Sequence, residues 1–190
     1  LLTDGCVITT NFDKLLERVF EEKSRPFQGF MHGIQQHSGF ASQLVQGSRC
    51  ILKLHGTFEV NETYIFSKQQ YDDAYGCDCL DYTKPLAKVL RQIFISHSLV
   101  FIGCSLELDR TLELFLDVVN SNVFDIPNHF AFFPEFESDN NLEKETLISS
   151  VGIKPIWYQV TSNEDGSQNH DQLEQLLSFA IDCANGRAKL

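Results

Sequence analysis

Apolar and polar positions along the chain follow two periods in turn, one typical of β-strands and one typical of α-helices. Continuous apolar runs over residues 6–10, 50–54 and 99–103 predict buried strands. Apolar residues spaced on one helical face over residues 13–22 and 112–119 predict helices that follow the first and the third of these strands. This alternation predicts an α/β fold built on a doubly wound, mostly parallel sheet of Rossmann-like type.

The clearest helical pattern begins at Pro85, a residue favoured in the first turn of a helix. Its apolar residues share one face and predict a buried stripe: Leu86, Val89, Leu90, Ile93 and Phe94. Further strands are predicted over residues 129–133 and 155–160, and a helix over residues 171–184. Residues 22–47 have no clean period, which predicts an irregular insertion after the first helix.

Length and charge limit the class of protein. A chain of 190 residues with 43% hydrophobic content can bury one substantial core, so we expect a single domain over residues 1–190. Its formal charge of -11 repels phosphate backbones, which argues against direct binding of nucleic acid. The sequence holds no apolar run near the roughly 20 residues that cross a bilayer. We therefore expect a soluble, cytoplasmic protein without a membrane partner.

The cysteines and histidines give little support for a metal site. Cys77 and Cys79 form a C-x-C pair, which could supply half of a zinc site, but the sequence offers no second close pair to complete it. The histidines lack regular ligand spacing. We expect no bound metal, with zinc at the C-x-C pair as the minor alternative.

Polar residues follow two of the predicted strands at the point where each strand ends. Thr9, Thr10, Asn11 and Asp13 follow the first apolar run, and His55 follows the second. The carboxyl ends of strands in an open α/β sheet meet at the edge where such folds bind ligands. The pattern favours a binding site there. The alternative is structural, with Asn11 or Asp13 capping a helix and His55 bonding a nearby carbonyl.

The third apolar run ends in a turn of small residues. Gly103 lets the backbone approach a ligand closely, and the Ser105 hydroxyl can bond a ribose or a phosphate. Asp109 follows just before the next helix. These residue types suit the ribose-phosphate part of a nucleotide, although a turn followed by an N-cap would use the same residues.

Taken together, the segments T-T-N-F-D, K-L-H-G and F-I-G-C-S-L-E-L-D resemble the sirtuin-like NAD hydrolases, divergent relatives of NAD-dependent protein deacylases. The resemblance implies that Asn11 holds the nicotinamide ribose and the reacting water, and that His55 is the general base. It also implies that Asp13 shapes the nicotinamide pocket and that Gly103 and Ser105 contact the ribose-phosphate portion. The implied cofactor-binding residues are Thr9, Thr10, Asp13, Gly103, Ser105 and Asp109.

The resemblance implies hydrolysis of NAD, as a substrate, to nicotinamide and ADP-ribose, in a family that often serves bacterial antiphage defence with a sensor domain or subunit. A sheet that lacks its first strand would expose apolar edges, so we also expect association with the missing segment or with another subunit, as in a homo-oligomer. Two alternatives stay open: an NAD-dependent protein deacylase, and a nucleotide-sensing or assembly module without turnover. The family's first strand and Gly-rich loop have no counterpart in residues 1–5, so we expect a trimmed sirtuin-like domain that lacks this segment.

Overall fold

The computed structural model describes residues 5–34, 39–107, 109–136 and 141–189. By its internal contacts the chain forms two compact units, residues 2–92 and residues 93–190, each with its own parallel sheet. The expectation of a single domain over residues 1–190, without its first strand and Gly-rich loop, stays a prediction.

The first unit carries a three-stranded parallel sheet in the order β1-β3-β2. Its elements are β1 Cys6–Thr9, α1 Leu15–Glu22, β2 Gly29–His32, α2 Phe40–Val45, β3 Cys50–Lys53, a 3-10 turn Asn61–Thr63 and α3 Lys68–Tyr75. The central strand β3 is buried along its whole length, as expected for a strand with a neighbour on each side. Phe20 and Phe27 pack with Ile51 in a core under this sheet.

The second unit carries a three-stranded parallel sheet in the order β4-β5-β6. Helix α4, Pro85–Ser96, spans the boundary between the units. The remaining elements are β4 Val100–Phe101, α5 Arg110–Ser121, β5 His129–Glu135, α6 Leu142–Ser150, β6 Ile153–Gln159, β7 Thr161–Ser162, β8 Gln168–Asn169 and α7 Asp171–Ala184. The short strands β7 and β8 form an antiparallel pair.

The α/β class predicted from the sequence is confirmed, since helices alternate with parallel strands in both units. The stripe predicted for α4 is also confirmed, because its five apolar residues are at most 9% exposed. The helix predicted over residues 171–184 forms with those bounds as α7.

Three segments differ from the sequence-based expectation. The region after α1 is more ordered than predicted, because it contains β2 and α2, each too short to show a period. Strand β4 covers only Val100–Phe101, since Gly103 takes a positive φ of 68° and leaves the extended conformation. Helix α6 was not predicted because its one buried residue, Ile148, leaves no apolar stripe to detect.

Within the part of the chain that the structure describes, none of the helices combines the length and the apolar character needed to span a bilayer.

Candidate active site

Asn11 and His55 follow the ends of two adjacent strands, at the same edge of the first sheet. In the parallel pairing of β1 with β3, Thr9 lies opposite Lys53, and the Leu54 amide donates to the Thr9 carbonyl over 2.9 Å. Asn11 and His55 each follow two residues beyond this last pair. The strand pairing therefore brings the first two sequence motifs to one place, as the carboxyl-edge rule predicts.

Local hydrogen bonds fix residues 9–13, which we call the Asn11 segment. The Asn11 amide donates to Oγ1 of Thr9 over 3.1 Å. Asp13 Oδ1 accepts from the Leu15 amide over 2.9 Å, at the start of α1. The N-cap of α1 is Lys14, which makes no side-chain capping bond, so neither Asn11 nor Asp13 is the N-cap; Asp13 instead accepts from the first amide of the helix from the position before the cap.

An open cavity of about 410 Å³ lies against this segment and is lined by Thr10, Asn11, Phe12, Asp13 and Phe58. The Phe58 amide donates to the Phe12 carbonyl over 3.2 Å, which holds the turn after β3 against the Asn11 segment. The Phe58 side chain is 53% exposed. The lining of this open cavity thus combines an amide and a carboxylate with aromatic surface.

His55 is not among the residues that line the cavity and lies against an aromatic cluster. Its ring centroid is 6.1 Å from that of Phe12, and the Phe12 ring packs in turn on Phe66 at 4.7 Å and edge-on to Tyr64 at 5.7 Å. The Oη atom of Tyr71 lies 3.1 Å from Nε2 of His55. The imidazole is therefore held by a hydrogen bond and by ring contacts, and half-buried rather than loose in solvent.

The last residue of the K-L-H-G motif, Gly56, lies at a position that requires glycine. Its φ is 93°, and a Cβ atom there would meet the carbonyl oxygen of Thr63 at 2.4 Å. The Thr63 hydroxyl also accepts from the Thr57 amide over 3.0 Å. Only glycine combines this backbone conformation with so close a neighbour, so the turn that presents His55 depends on it.

Helix α3 supplies Tyr71 and begins with a capping box. Ser67 Oγ accepts from the Gln70 amide, and Gln70 Oε1 accepts from the Ser67 amide. Tyr71 then stacks on Tyr75 with ring centroids 6.2 Å apart. The capped start and the stacked pair fix the helix face that meets His55.

The third motif lies in the second unit and follows β4. Gly103 and Ser105 are both exposed. Asp109 is the N-cap of α5, and its Oδ1 accepts from the amides of Thr111 and Leu112, each over 2.9 Å. Asp109 therefore has the N-cap role that the sequence allowed as the alternative. Burial raises the pKa of the nearby Cys104 thiol, which keeps it protonated.

The structure brings Thr9, Thr10, Asn11, Asp13 and His55 together in the first unit. Gly103, Ser105 and Asp109 form a second group in the other unit. Among the described residues, no three or more His, Cys, Asp or Glu side chains are placed to hold a metal ion. Cys77 and Cys79 of the alternative zinc site are exposed.

Sequence reasoning missed three residues that contact the site: Tyr71, Phe58 and Lys53. Tyr71 and Phe58 carry no pattern that points to His55 or the cavity. Lys53 does carry a signal, since it is the one charged residue inside the apolar run over residues 50–54. A charge in such a run is buried with a partner or breaks the strand, and β3 includes it.

Comparison with known protein families identifies a match for most of the chain. A family model described as a SIR2-like domain matches residues 5–156. That range includes both groups of predicted site residues. No curated protein matches the chain.

Proposed function

Because the chain belongs to the SIR2-like domain family, we propose that it hydrolyses NAD at the nicotinamide-ribose bond, giving nicotinamide and ADP-ribose. SIR2-like domains bind NAD, so the general function is NAD-related. The observation that carries the specific proposal is the placement of Asn11 and His55, each two residues beyond the last paired residues of β1 and β3 at one edge of the sheet, with Asn11 lining an open cavity.

The reaction needs few groups from the protein. When the N-glycosidic bond breaks, its electron pair moves to the positively charged nicotinamide ring, which leaves as a neutral molecule without needing a proton. The ribose becomes oxocarbenium-like, and water adds its oxygen at the carbon that nicotinamide left. In this proposal the side-chain amide of Asn11 orients that water. It can do so at any working pH because a carboxamide does not titrate.

His55 takes the proton that the attacking water loses. The unprotonated nitrogen of a neutral imidazole can accept a proton, so a histidine can act as the general base. The contacts with Phe12 and Tyr71 restrict the orientation of the ring, which favours a positioned base over a mobile side chain. Thr9, Thr10 and Asp13 are proposed to complete the nicotinamide pocket: Thr9 fixes the Asn11 backbone, while Thr10 and Asp13 line the cavity.

The second group is proposed to bind the ribose-phosphate portion of NAD. Gly103, with a φ of 68° and no atom within 4 Å of an added Cβ position, leaves its backbone open to a ligand. Ser105 contributes an exposed hydroxyl. Asp109 supports this loop through its cap on α5, and its carboxylate is proposed to accept from a ribose hydroxyl.

Protein deacylation is the second candidate, and the shape of the cavity favours keeping it. The cavity is open rather than enclosed, and Phe12 and Phe58 contribute apolar surface to it. An acyl-lysine chain could lie against such a surface. Its carbonyl oxygen, rather than water, would then attack the ribose, with nicotinamide as the leaving group. Because this oxygen carries no proton, His55 would take a proton from a ribose hydroxyl instead.

In the cell, the proposed hydrolase would deplete NAD in the cytoplasm as an effector of bacterial antiphage defence. A sensor domain or subunit, or assembly into a homo-oligomer, would then control its activity. This cellular role is supported by the resemblance to sirtuin-like NAD hydrolases and is the part of the proposal that needs an infection assay with the Asn11→Ala variant.

The test is nicotinamide release from NAD by the intact protein, with Asn11→Ala and His55→Ala beside the wild type. His97→Ala is the matched control, since His97 contacts Ser96 in α4 and has no proposed role. Release by the wild type and the control that is lost in both site variants supports the proposal. Release only with an acyl-lysine peptide favours deacylation, and NAD that binds but stays intact favours a sensing module.

A further inference from the structure

Lys53 is a lysine with no solvent exposure at the end of the central strand β3. Its Nζ atom lies 2.7 Å from Oε1 of Glu17, whose side chain is only 11% exposed. Glu17 lies one helical turn before Phe20 on the buried face of α1. A buried ammonium is costly unless its hydrogen bonds are satisfied, so the remaining partners of Nζ are informative.

Those partners belong to the Asn11 segment. Nζ donates to the carbonyl of Asp13, and the carbonyl of Phe12 lies 3.5 Å away. An ammonium has three N–H groups, and among the described residues the acceptors around this one are the Glu17 carboxylate and these two carbonyls. Two of the three donors are therefore directed at the backbone immediately after Asn11.

The Asn11 backbone is consequently held from both sides. Thr9 Oγ1 accepts from its amide, and Lys53 holds the two residues that follow it. Lys53 also stands two residues before His55 on the same chain segment. One buried side chain thus connects the two motifs that carry the proposed catalytic groups.

Stability alone gives a weak reason for this arrangement. Replacing a buried ion pair with apolar residues of similar size is often neutral or stabilising. A methionine pair would fill comparable space in the core but could not bind two backbone carbonyls. An apolar pair would therefore lose the hydrogen bonds from the charged ammonium to those two carbonyls.

We infer that Lys53 is a positioning residue for the reaction, which fixes the Asn11 segment relative to His55, and that Glu17 holds the ammonium in place. This inference rests on the proposed NAD hydrolysis for its catalytic meaning. The anchoring of the segment can be measured without turnover.

The test uses the intact protein with both charges removed, in the double variant Glu17→Met with Lys53→Met. The single variant Lys53→Met leaves a buried carboxylate unpaired and is expected to lower the melting temperature strongly, whereas the double variant is expected to recover most of the loss. Lys14→Met is the matched control. Lys14 directly follows Asp13 in the sequence and pairs with Glu59 at 2.5 Å, but both side chains of this pair are exposed.

Two readouts follow in each variant. Steady-state nicotinamide release should show kcat in the double variant lower by about 100-fold, with KM changed by less than about threefold, because a small displacement of a reacting group mainly affects the chemical step. Amide hydrogen exchange should become faster at Asn11 and at Phe58, whose N–H groups bond to Thr9 and Phe12. Exchange at Leu54, inside the β1–β3 pairing, should stay unchanged.

A double variant that folds, retains wild-type kcat and shows unchanged exchange at Asn11 and Phe58 overturns the inference. If the wild type itself releases no nicotinamide, NAD hydrolysis is the proposal that fails. The exchange rates then decide alone: faster exchange at Asn11 and Phe58 supports the anchoring by Lys53, and unchanged exchange overturns it.

Discussion

The hydroxyl oxygen of Tyr71 lies 3.1 Å from Nε2 of His55, so the proposed base is held by a residue on a helix that the sequence motifs do not include. A hydrogen bond at this nitrogen restricts the orientation of the ring, whichever group is the donor. The stacking of Tyr71 on Tyr75 in turn restricts the tyrosine. The position of the base therefore depends on α3.

Removing that hydrogen bond tests its value. We expect Tyr71→Phe to lower kcat for nicotinamide release by about tenfold, the worth of roughly one hydrogen bond, because the ring loses its partner but keeps its packing. The chain offers a matched control in Tyr158, whose Oη lies 3.0 Å from Nδ1 of His170, a histidine with no proposed role. Equal losses in Tyr71→Phe and Tyr158→Phe would contradict a specific role for Tyr71.

The turn at Gly56 predicts a large effect on stability. We expect Gly56→Ala to lower the free energy of unfolding by more than about 3 kcal/mol, since the added Cβ combines backbone strain with a 2.4 Å contact to the Thr63 carbonyl. Gly39 has a φ of 105° with nothing within 4 Å of an added Cβ. Gly39→Ala should therefore cost only about 1–2 kcal/mol, the strain alone. Urea unfolding of both variants measures the difference, and equal costs would disprove the clash.

Ser105 is predicted to act in binding rather than in bond cleavage. We expect Ser105→Ala to raise KM for NAD several-fold while the single-turnover rate at saturating NAD stays close to that of the wild type. Ser150→Ala is the control, because the Ser150 hydroxyl donates to the Leu147 carbonyl at the end of α6. A fall in the single-turnover rate without a change in KM would contradict the assignment.

His129 predicts how stability depends on pH. Its side chain is fully buried and stacks on Phe94 with ring centroids 4.2 Å apart, and its Nδ1 accepts from the Leu99 amide over 3.1 Å. Burial lowers the pKa of His129 from 6.5 to about 4. Between these two values the unfolded chain binds the proton and the folded protein does not, so acid favours unfolding.

We therefore expect the contribution of His129 to stability to be fully present above pH 6.5 and to fall as the pH drops toward about 4. The total loss should be about 3 kcal/mol. Urea unfolding at several pH values measures it. His129→Gln keeps an acceptor for the Leu99 amide but does not titrate, so its stability should vary less over this range. A slope as steep as that of the wild type would assign the pH dependence to other groups.

The sequence predicted the elements whose burial is periodic. The stripe of α4 and the continuous apolar run of β3 were recognisable because each is buried in the way its period requires. The carboxyl-edge rule then placed Asn11 and His55 together, since it depends only on where two adjacent strands end.

The remaining features depend on contacts that no local pattern records. The pairing of Lys53 with Glu17 joins a strand to a helix across the insertion, and the contact of Tyr71 with His55 depends on the turn between β3 and α3. The sequence around Gly56 does not indicate that this position requires glycine, because its close neighbour Thr63 lies seven residues later, on the far side of that turn. The sequence predicts which residues follow the ends of the strands, but not which side chains contact those residues and fix their positions.

The strand order of the first sheet also determines when the site can form during synthesis. In the order β1-β3-β2, the last of the three strands to leave the ribosome is the one to which both others pair. Until β3 has emerged, β1 has no neighbour in this sheet and the ammonium of Lys53 is not yet there to bind residues 12 and 13. A nascent chain that ends before this point lacks the strand with which both others pair, so the sheet edge that carries Asn11 and His55 can be completed only after the central strand has emerged.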